Sequence, residues 1–101
     1  GIVDFWLHNV QEVHNKHLAM VDRLPEDQRH DRLCELNVLE QVVNLCHTPV
    51  VKDAWLRDQK LTIHGWVYGL KDGLVHDLGI TIDCPADLTT RYDAALKALE
   101  A

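Results

Sequence analysis

The chain has 101 residues, 47% of them apolar and 26% charged, and its formal net charge is −6. This length is enough for one small domain, and the apolar content is typical of a folded chain. The acidic balance argues against a nucleic-acid partner, and the sequence has no apolar run of the roughly 18 residues that would predict a membrane-spanning helix.

The cysteines indicate the redox setting. Cys34, Cys46 and Cys84 are odd in number and far apart, so they do not suggest a disulfide framework. Reduced, buried thiols in a cytoplasmic protein are the expectation. The sequence shows no signal-peptide pattern, and its only methionine is Met20, so we expect a fragment or a processed product.

Helical periodicity dominates the first part of the chain. A first helix is expected over about 2–24, because apolar residues recur there at steps of three and four until Pro25 ends the pattern. The polar stretch 26–32 leads into a second helix over about 32–47. That helix is apolar on much of its circumference, which predicts burial on several sides.

Shorter elements follow. Thr48 and Pro49 resemble a cap and a first-turn proline, and they predict a short helix over about 49–57. Strands are expected over about 61–70 and 74–82, joined by a turn. A last helix is expected over about 88–99.

These elements predict an α/β chain that forms a single partial domain over residues 1–101. Apolar residues on both faces of 61–70 indicate a strand that is covered on two sides. The chain offers that strand only one neighbour, at 74–82, and a two-stranded ribbon is marginal alone. We therefore expect a strand from outside this sequence at its other edge.

The residues alone give little support for a catalytic or metal site. His14 and His17 are three apart and could share a helix face, but no further ligand at a known spacing completes a zinc site. The three tryptophans have apolar neighbours, which predicts core packing rather than a stacking platform for a sugar or a base. The sequence contains no nucleophile elbow, glycine-rich phosphate loop or CxxC pair.

Several segments together resemble the β-class carbonic anhydrases. The match is colinear and is most specific over residues 33–79. It is carried by Glu35-Leu36-Asn37-Val38 with Gln41-Val42, by Ala54-Trp55, by His64-Gly65-Trp66-Val67-Tyr68, by Asp72-Gly73-Leu74, and by Gly1-Ile2-Val3-Asp4 with Trp6-Leu7.

The resemblance implies a zinc lyase that interconverts carbon dioxide and bicarbonate. Its fold would be a mostly parallel sheet flanked by helices, in a homo-oligomer, with the hairpin of this chain completing the sheet. The family holds zinc with residues of a CxDxR motif and a later HxxC motif, and this sequence contains neither. No catalytic or metal residue is therefore expected in this chain, and the chain alone should bind no zinc and be inactive.

One site residue is implied by the resemblance. A subgroup of the family binds inhibitory bicarbonate through a Trp, an Arg and a Tyr, and the Tyr matches Tyr68. The alternative for Tyr68 is a ring that packs in the core. Two interpretations of the whole chain stay open: part of an enzyme whose amino-terminal half lies elsewhere, or a non-catalytic truncated paralogue that serves assembly or interaction.

Overall fold

The computed structural model describes residues 2–69 and 71–100, with the backbone alone at Trp6. The expectations that involve Gly1, Leu70 and the side chain of Trp6 therefore lie outside the described residues. The helices and strands are α1 (Ile2–Lys16), α2 (Leu18–Asp22), α3 (Glu26–Cys46), α4 (Pro49–Leu56), β1 (Ile63–Tyr68), β2 (Val75–Ile82) and α5 (Leu88–Glu100), with a 3-10 turn at Pro85–Asp87.

The chain divides into two compact units, and the division falls between Asn37 and Val38. The expectation of a single partial domain over residues 1–101 stays a prediction. The boundary lies within α3, where the continuous apolar pattern of the sequence gives no sign of it.

The first unit contains a break that the periodicity did not predict. Where one helix was expected over 2–24, the structure has α1 and α2, separated at His17 with φ −113° and ψ 27°. The amide of Val21 still bonds to the carbonyl of His17 at 3.1 Å. His17, Val13 and Val21 are buried, so the apolar stripe is kept across the break. The sequence has no proline or glycine there to indicate it.

Helix α3 begins at Glu26, within the stretch that was expected to be a linker before a helix at 32. Glu26 and Asp27 give its first turn negative charge, which the positive end of the helix dipole favours. The Arg29 guanidinium donates through Nε to the Leu24 carbonyl at 2.9 Å and through Nη2 to the Asp22 carbonyl at 3.2 Å. These bonds fix the preceding turn and explain why a polar stretch is helical.

The second unit is built on the β1–β2 hairpin. The strands are antiparallel, with Ile63 opposite Ile82 and Tyr68 opposite Val75, and a bulge interrupts the register between His64 and Trp66. Helices α3, α4 and α5 contribute to one core with the strands. The core residues are Leu39, Val42, Cys46, Val51, Ile63, Ile80, Ile82 and Ala95.

Gly65 allows the hairpin to lie close against α3. A methyl group at Gly65 would lie 2.5 Å from Cγ2 of Ile80 and 3.4 Å from a methyl carbon of Val38 and of Val42. Ile80 is fully buried. The absence of a side chain at position 65 is thus what permits this spacing.

Among the described residues, only one face of β1 is covered. Ile63 and Gly65 are buried, whereas His64, Trp66 and Tyr68 alternate with them and are exposed. Trp66 is 56% exposed, contrary to the expectation of core packing. In the described residues the hairpin has two strands and nothing pairs with the second edge of β1. Of the two apolar faces of β1, one is therefore buried and the other is exposed to solvent among the described residues.

Two side-chain contacts connect the helices of this unit to their surroundings. The Tyr92 hydroxyl of α5 donates to the carboxylate of Glu40, a buried residue of α3. The indole N–H of Trp55 donates to the Leu61 carbonyl at 3.0 Å.

Among residues 2–69 and 71–100, no helix is both long and apolar enough to cross a bilayer.

Candidate functional site

The exposed face of β1 carries a row of three aromatic side chains, from His64 through Trp66 to Tyr68. The rings of His64 and Trp66 stack, with centroids 5.5 Å apart and planes inclined by 30°. Nδ1 of His64 lies 3.0 Å from the Thr81 hydroxyl across the hairpin. The stack and the hydrogen bond together hold the imidazole in one orientation.

Tyr68 lies at the end of this row, where the hairpin turns. The Gly69 amide donates to the Leu74 carbonyl and the Gly73 amide donates to the Gly69 carbonyl, both at 2.8 Å. Gly73 has φ +68°, as its place in the turn predicts. A methyl group at Gly73 would lie 3.7 Å from the Tyr68 hydroxyl oxygen, so that oxygen lies over the turn.

Asp72 holds this turn together with two hydrogen bonds. Oδ1 accepts from the Leu74 amide at 3.0 Å, and Oδ2 lies 2.8 Å from Nε2 of His76. The carboxylate folds back over Gly69, where a methyl group would lie 2.5 Å from Oδ1. The Leu74 amide above all, with a further contribution from His76, holds the pKa of Asp72 below its ordinary value.

Sequence reasoning had not singled out Asp72 or His76 as functional. Asp72-Gly73 indicated a turn, but the four-residue separation of Asp72 and His76 is a meaningful spacing only within a helix. The pairing arises because the turn folds Asp72 back toward the start of β2. Only the backbone path of the hairpin could have revealed it.

One cluster in the described part of the chain has three side chains that could bind a metal ion: Asp83, Cys84 and Asp87, whose ligand atoms lie within 4.8 Å of one another. It does not fit the zinc set of two cysteines, a histidine and an aspartate. Sγ of Cys84 donates to Oδ2 of Asp87 at 3.2 Å. That bond and partial burial raise the pKa of the Cys84 thiol, whereas a zinc ligand must be a thiolate.

The position of this cluster accounts for it without a metal. Cys84 is the residue before the 3-10 turn Pro85–Asp87, and Asp87 comes three residues later. The Asp87 amide donates to the Cys84 carbonyl at 3.3 Å, so the turn itself brings the two side chains together. A cavity of 480 Å³ adjoins Asp83 and Cys84 and is lined on its other side by Trp55 and residues 58–62.

The remaining candidates from the sequence do not assemble into a site. Nε2 of His14 lies 3.5 Å from a carboxylate oxygen of Asp22, and His17 is buried. Sγ of Cys34 lies 3.7 Å from the imidazole of His30, but no third ligand joins them among the described residues. Cys46 is buried in the core, where burial raises the pKa of its thiol.

Comparison with known proteins gives consistent matches. The family model described as carbonic anhydrase matches residues 1–75. A carbonic anhydrase of Emericella nidulans is 40% identical over 81 residues, covering 79% of this chain and 36% of that protein. A carbonic anhydrase of Pseudomonas aeruginosa is 34% identical over 73 residues, covering 72% and 32%.

A solved structure matches the whole chain. It is a Coccomyxa beta-carbonic anhydrase in complex with acetazolamide, with a TM-score of 0.82 and 34% identity. The match covers 100% of this chain and 47% of that one. The present chain therefore spans about a third of the length of the curated relatives above and about half of the solved protein.

The helices and the antiparallel hairpin thus have the fold of part of a β-class carbonic anhydrase, and the predicted fold class is confirmed. The chain belongs to the carbonic anhydrase family. The resemblance found in the sequence is likewise confirmed.

Proposed function

We propose that this chain is the carboxy-terminal part of a carbonic anhydrase that catalyses the reversible hydration of carbon dioxide to bicarbonate. The observation that carries the proposal is the match of residues 1–75 to the carbonic anhydrase family model, supported by 40% identity over 81 residues to a protein described as a carbonic anhydrase. In this proposal the enzyme is a cytoplasmic homo-oligomer, and carbon dioxide and bicarbonate are its ligands.

In this proposal the zinc ligands come from protein outside this chain. The sequence has no CxDxR or HxxC motif, and the cluster of Asp83, Cys84 and Asp87 does not fit the zinc site of the family. The relatives are more than twice as long as this chain, so they have ample length for such ligands. The 101-residue chain by itself should neither retain zinc nor hydrate carbon dioxide.

The uncovered side of the hairpin supports the same proposal. Trp66, Tyr68 and Val75 are each more than half exposed, and β1 has one edge without a partner among the described residues. An apolar strand with an open edge tends to associate with another strand. In the complete enzyme a strand from the amino-terminal part would pair with that edge.

Tyr68 would contribute to a bicarbonate site rather than to the zinc chemistry. A phenol can donate one hydrogen bond to an anion without bringing charge. The Tyr68 side chain is 60% exposed at the end of the hairpin, so its hydroxyl is accessible in this chain. The other two members of the regulatory site, a Trp and an Arg, would come from outside the chain.

A non-catalytic role is the second candidate. A truncated paralogue would lack the zinc motifs, as this chain does, and could use the exposed hairpin face to bind another subunit. The two candidates differ in whether the chain becomes active when the missing part is supplied.

The test joins the chain to the amino-terminal part of the Emericella nidulans relative in one polypeptide. Zinc is measured by elemental analysis and carbon dioxide hydration by stopped flow, for the chain alone and for the joined protein. We expect zinc and activity only in the joined protein. About one zinc per isolated chain together with activity would contradict the proposal, and a folded, zinc-loaded but inactive joined protein would favour the non-catalytic role.

The proposed bicarbonate site has its own test in the joined protein. Tyr68→Phe keeps the ring and removes only the hydroxyl. We expect weaker inhibition by bicarbonate with unchanged zinc content. Unchanged inhibition would leave Tyr68 with a packing role only.

A further inference from the structure

We infer that Asp72 is a positioning residue, which sets the place of the Tyr68 hydroxyl by accepting a hydrogen bond from the Leu74 amide. The inference rests on the proposed bicarbonate role of Tyr68 for its functional meaning, although the geometry is independent of that role. No motif in the sequence assigns this task to Asp72.

The first step is the contact between Tyr68 and the turn. The hydroxyl oxygen lies over Gly73, where an added methyl group would be 3.7 Å away. Tyr68 is 60% exposed, so its ring is not held in place by burial. The hydroxyl end of the ring therefore lies beside the turn at Gly73.

The second step is what holds Gly73 there. Its amide bonds to the Gly69 carbonyl, and the Leu74 amide that follows it bonds to Oδ1 of Asp72 at 3.0 Å. The carboxylate also packs against Gly69, on the other side of the turn. Asp72 thus contacts both ends of the segment that carries Gly73.

The third step is what holds Asp72. Its second oxygen lies 2.8 Å from Nε2 of His76, a residue of β2 whose cross-strand partner is Val67. The side chains of Asp72 and His76 are 45% and 52% exposed, so this contact is screened by solvent and the Leu74 bond matters more. The contact between Asp72 and His76 thus connects the turn to the two strands, one of which carries Tyr68.

The chain offers a matched control within β2, at Asp77, which lies opposite Trp66 beside the bulge. Oδ1 of Asp77 accepts from the Gly79 amide at 2.9 Å, which is the same two-residue hydrogen bond that joins Asp72 to Leu74. Asp77 and Asp72 are both exposed. Asp77→Ala therefore removes an equivalent bond without touching the turn beside Tyr68.

The experiment uses nuclear magnetic resonance on the 101-residue chain and three variants. The readout is the Overhauser contact between the ring protons of Tyr68 and the α protons of Gly73. We expect this contact to disappear in Asp72→Ala and to persist in Asp72→Asn, whose amide oxygen can still accept from Leu74. It should also persist in Asp77→Ala. Contacts from the methyl groups of Ile80 serve as the check that the hairpin core is intact.

The outcomes separate the position of Tyr68 from its function. Persistence of the contact in Asp72→Ala, or its loss in Asp72→Asn or Asp77→Ala, overturns the inference. In the joined enzyme, Asp72→Ala should weaken bicarbonate inhibition by about fivefold, as expected for one lost hydrogen bond, while Asp77→Ala leaves it unchanged. If Tyr68→Phe has no effect on inhibition while the Overhauser results are as expected, the bicarbonate role fails and the positioning role stands.

Discussion

Gly65→Ala tests the close contact between β1 and its neighbours most directly. The new methyl carbon would lie 2.5 Å from Cγ2 of Ile80, far inside the usual contact distance, and 3.4 Å from methyl carbons of Val38 and Val42. Ile80 is fully buried and cannot turn away into solvent. Overpacking of this kind costs about 1–3 kcal/mol, and we expect the free energy of unfolding to fall by that amount.

Urea denaturation followed by circular dichroism measures the effect, with a double-mutant cycle as the specific test. Ile80→Leu removes the Cγ2 branch that meets the new methyl group, and alone it should cost less than about 1.5 kcal/mol. Combined with Gly65→Ala it should recover about 1 kcal/mol relative to the sum of the single changes. Thr62→Ala, at an exposed position just before the strand, should change stability by less than about 0.5 kcal/mol. A near-neutral Gly65→Ala, or strict additivity with Ile80→Leu, would refute the proposed contact.

Three further predictions concern single side chains. Tyr92→Phe removes a donor to the buried carboxylate of Glu40 and should lower the free energy of unfolding by about 1–3 kcal/mol in urea denaturation, whereas no change would make that bond energetically neutral. Because the pKa of Asp72 is lowered in the folded state, its ionised carboxylate stabilises that state above the ordinary aspartate pKa of about 3.9. This stabilisation is lost as the pH falls through the lower pKa of the folded state. Stability measured against pH should therefore show wild type and Asp72→Asn converging in acid, and a constant difference would contradict this. The exposed Cys34 should be alkylated by iodoacetamide in the native protein and the buried Cys46 only after unfolding, as mass spectrometry can determine, and equal rates would argue against the described core.

The turn and proline signals of the sequence correspond to features of the structure because they depend on local stereochemistry. Pro49 stands at the start of α4, and Gly73 adopts positive φ in the hairpin turn. The break at His17 had no such signal. The start of α3 at Glu26 depends on Arg29 reaching back to the carbonyls of the preceding turn, a contact that periodicity cannot reveal.

The candidate site was predictable only in part. The family resemblance drew attention to Tyr68. The hydrogen bonds of Asp72 with Leu74 and His76 could not be predicted, because they form only when the turn is folded. The expected burial of Trp66 rested on the apolar residues on both faces of β1. In this chain the residue is 56% exposed, because nothing among the described residues covers that face of the hairpin.

The exposure of Trp66 gives the protein an internal optical probe. Its indole is more than half accessible, whereas Trp55 is partly buried and its N–H is bonded to the Leu61 carbonyl. Any polypeptide that covers the hairpin face would remove water from the Trp66 ring and shift its fluorescence to shorter wavelength, while the emission of Trp55 would change little. Assembly on this face could therefore be followed in solution without a label, with Trp66→Phe identifying which part of the signal belongs to the hairpin.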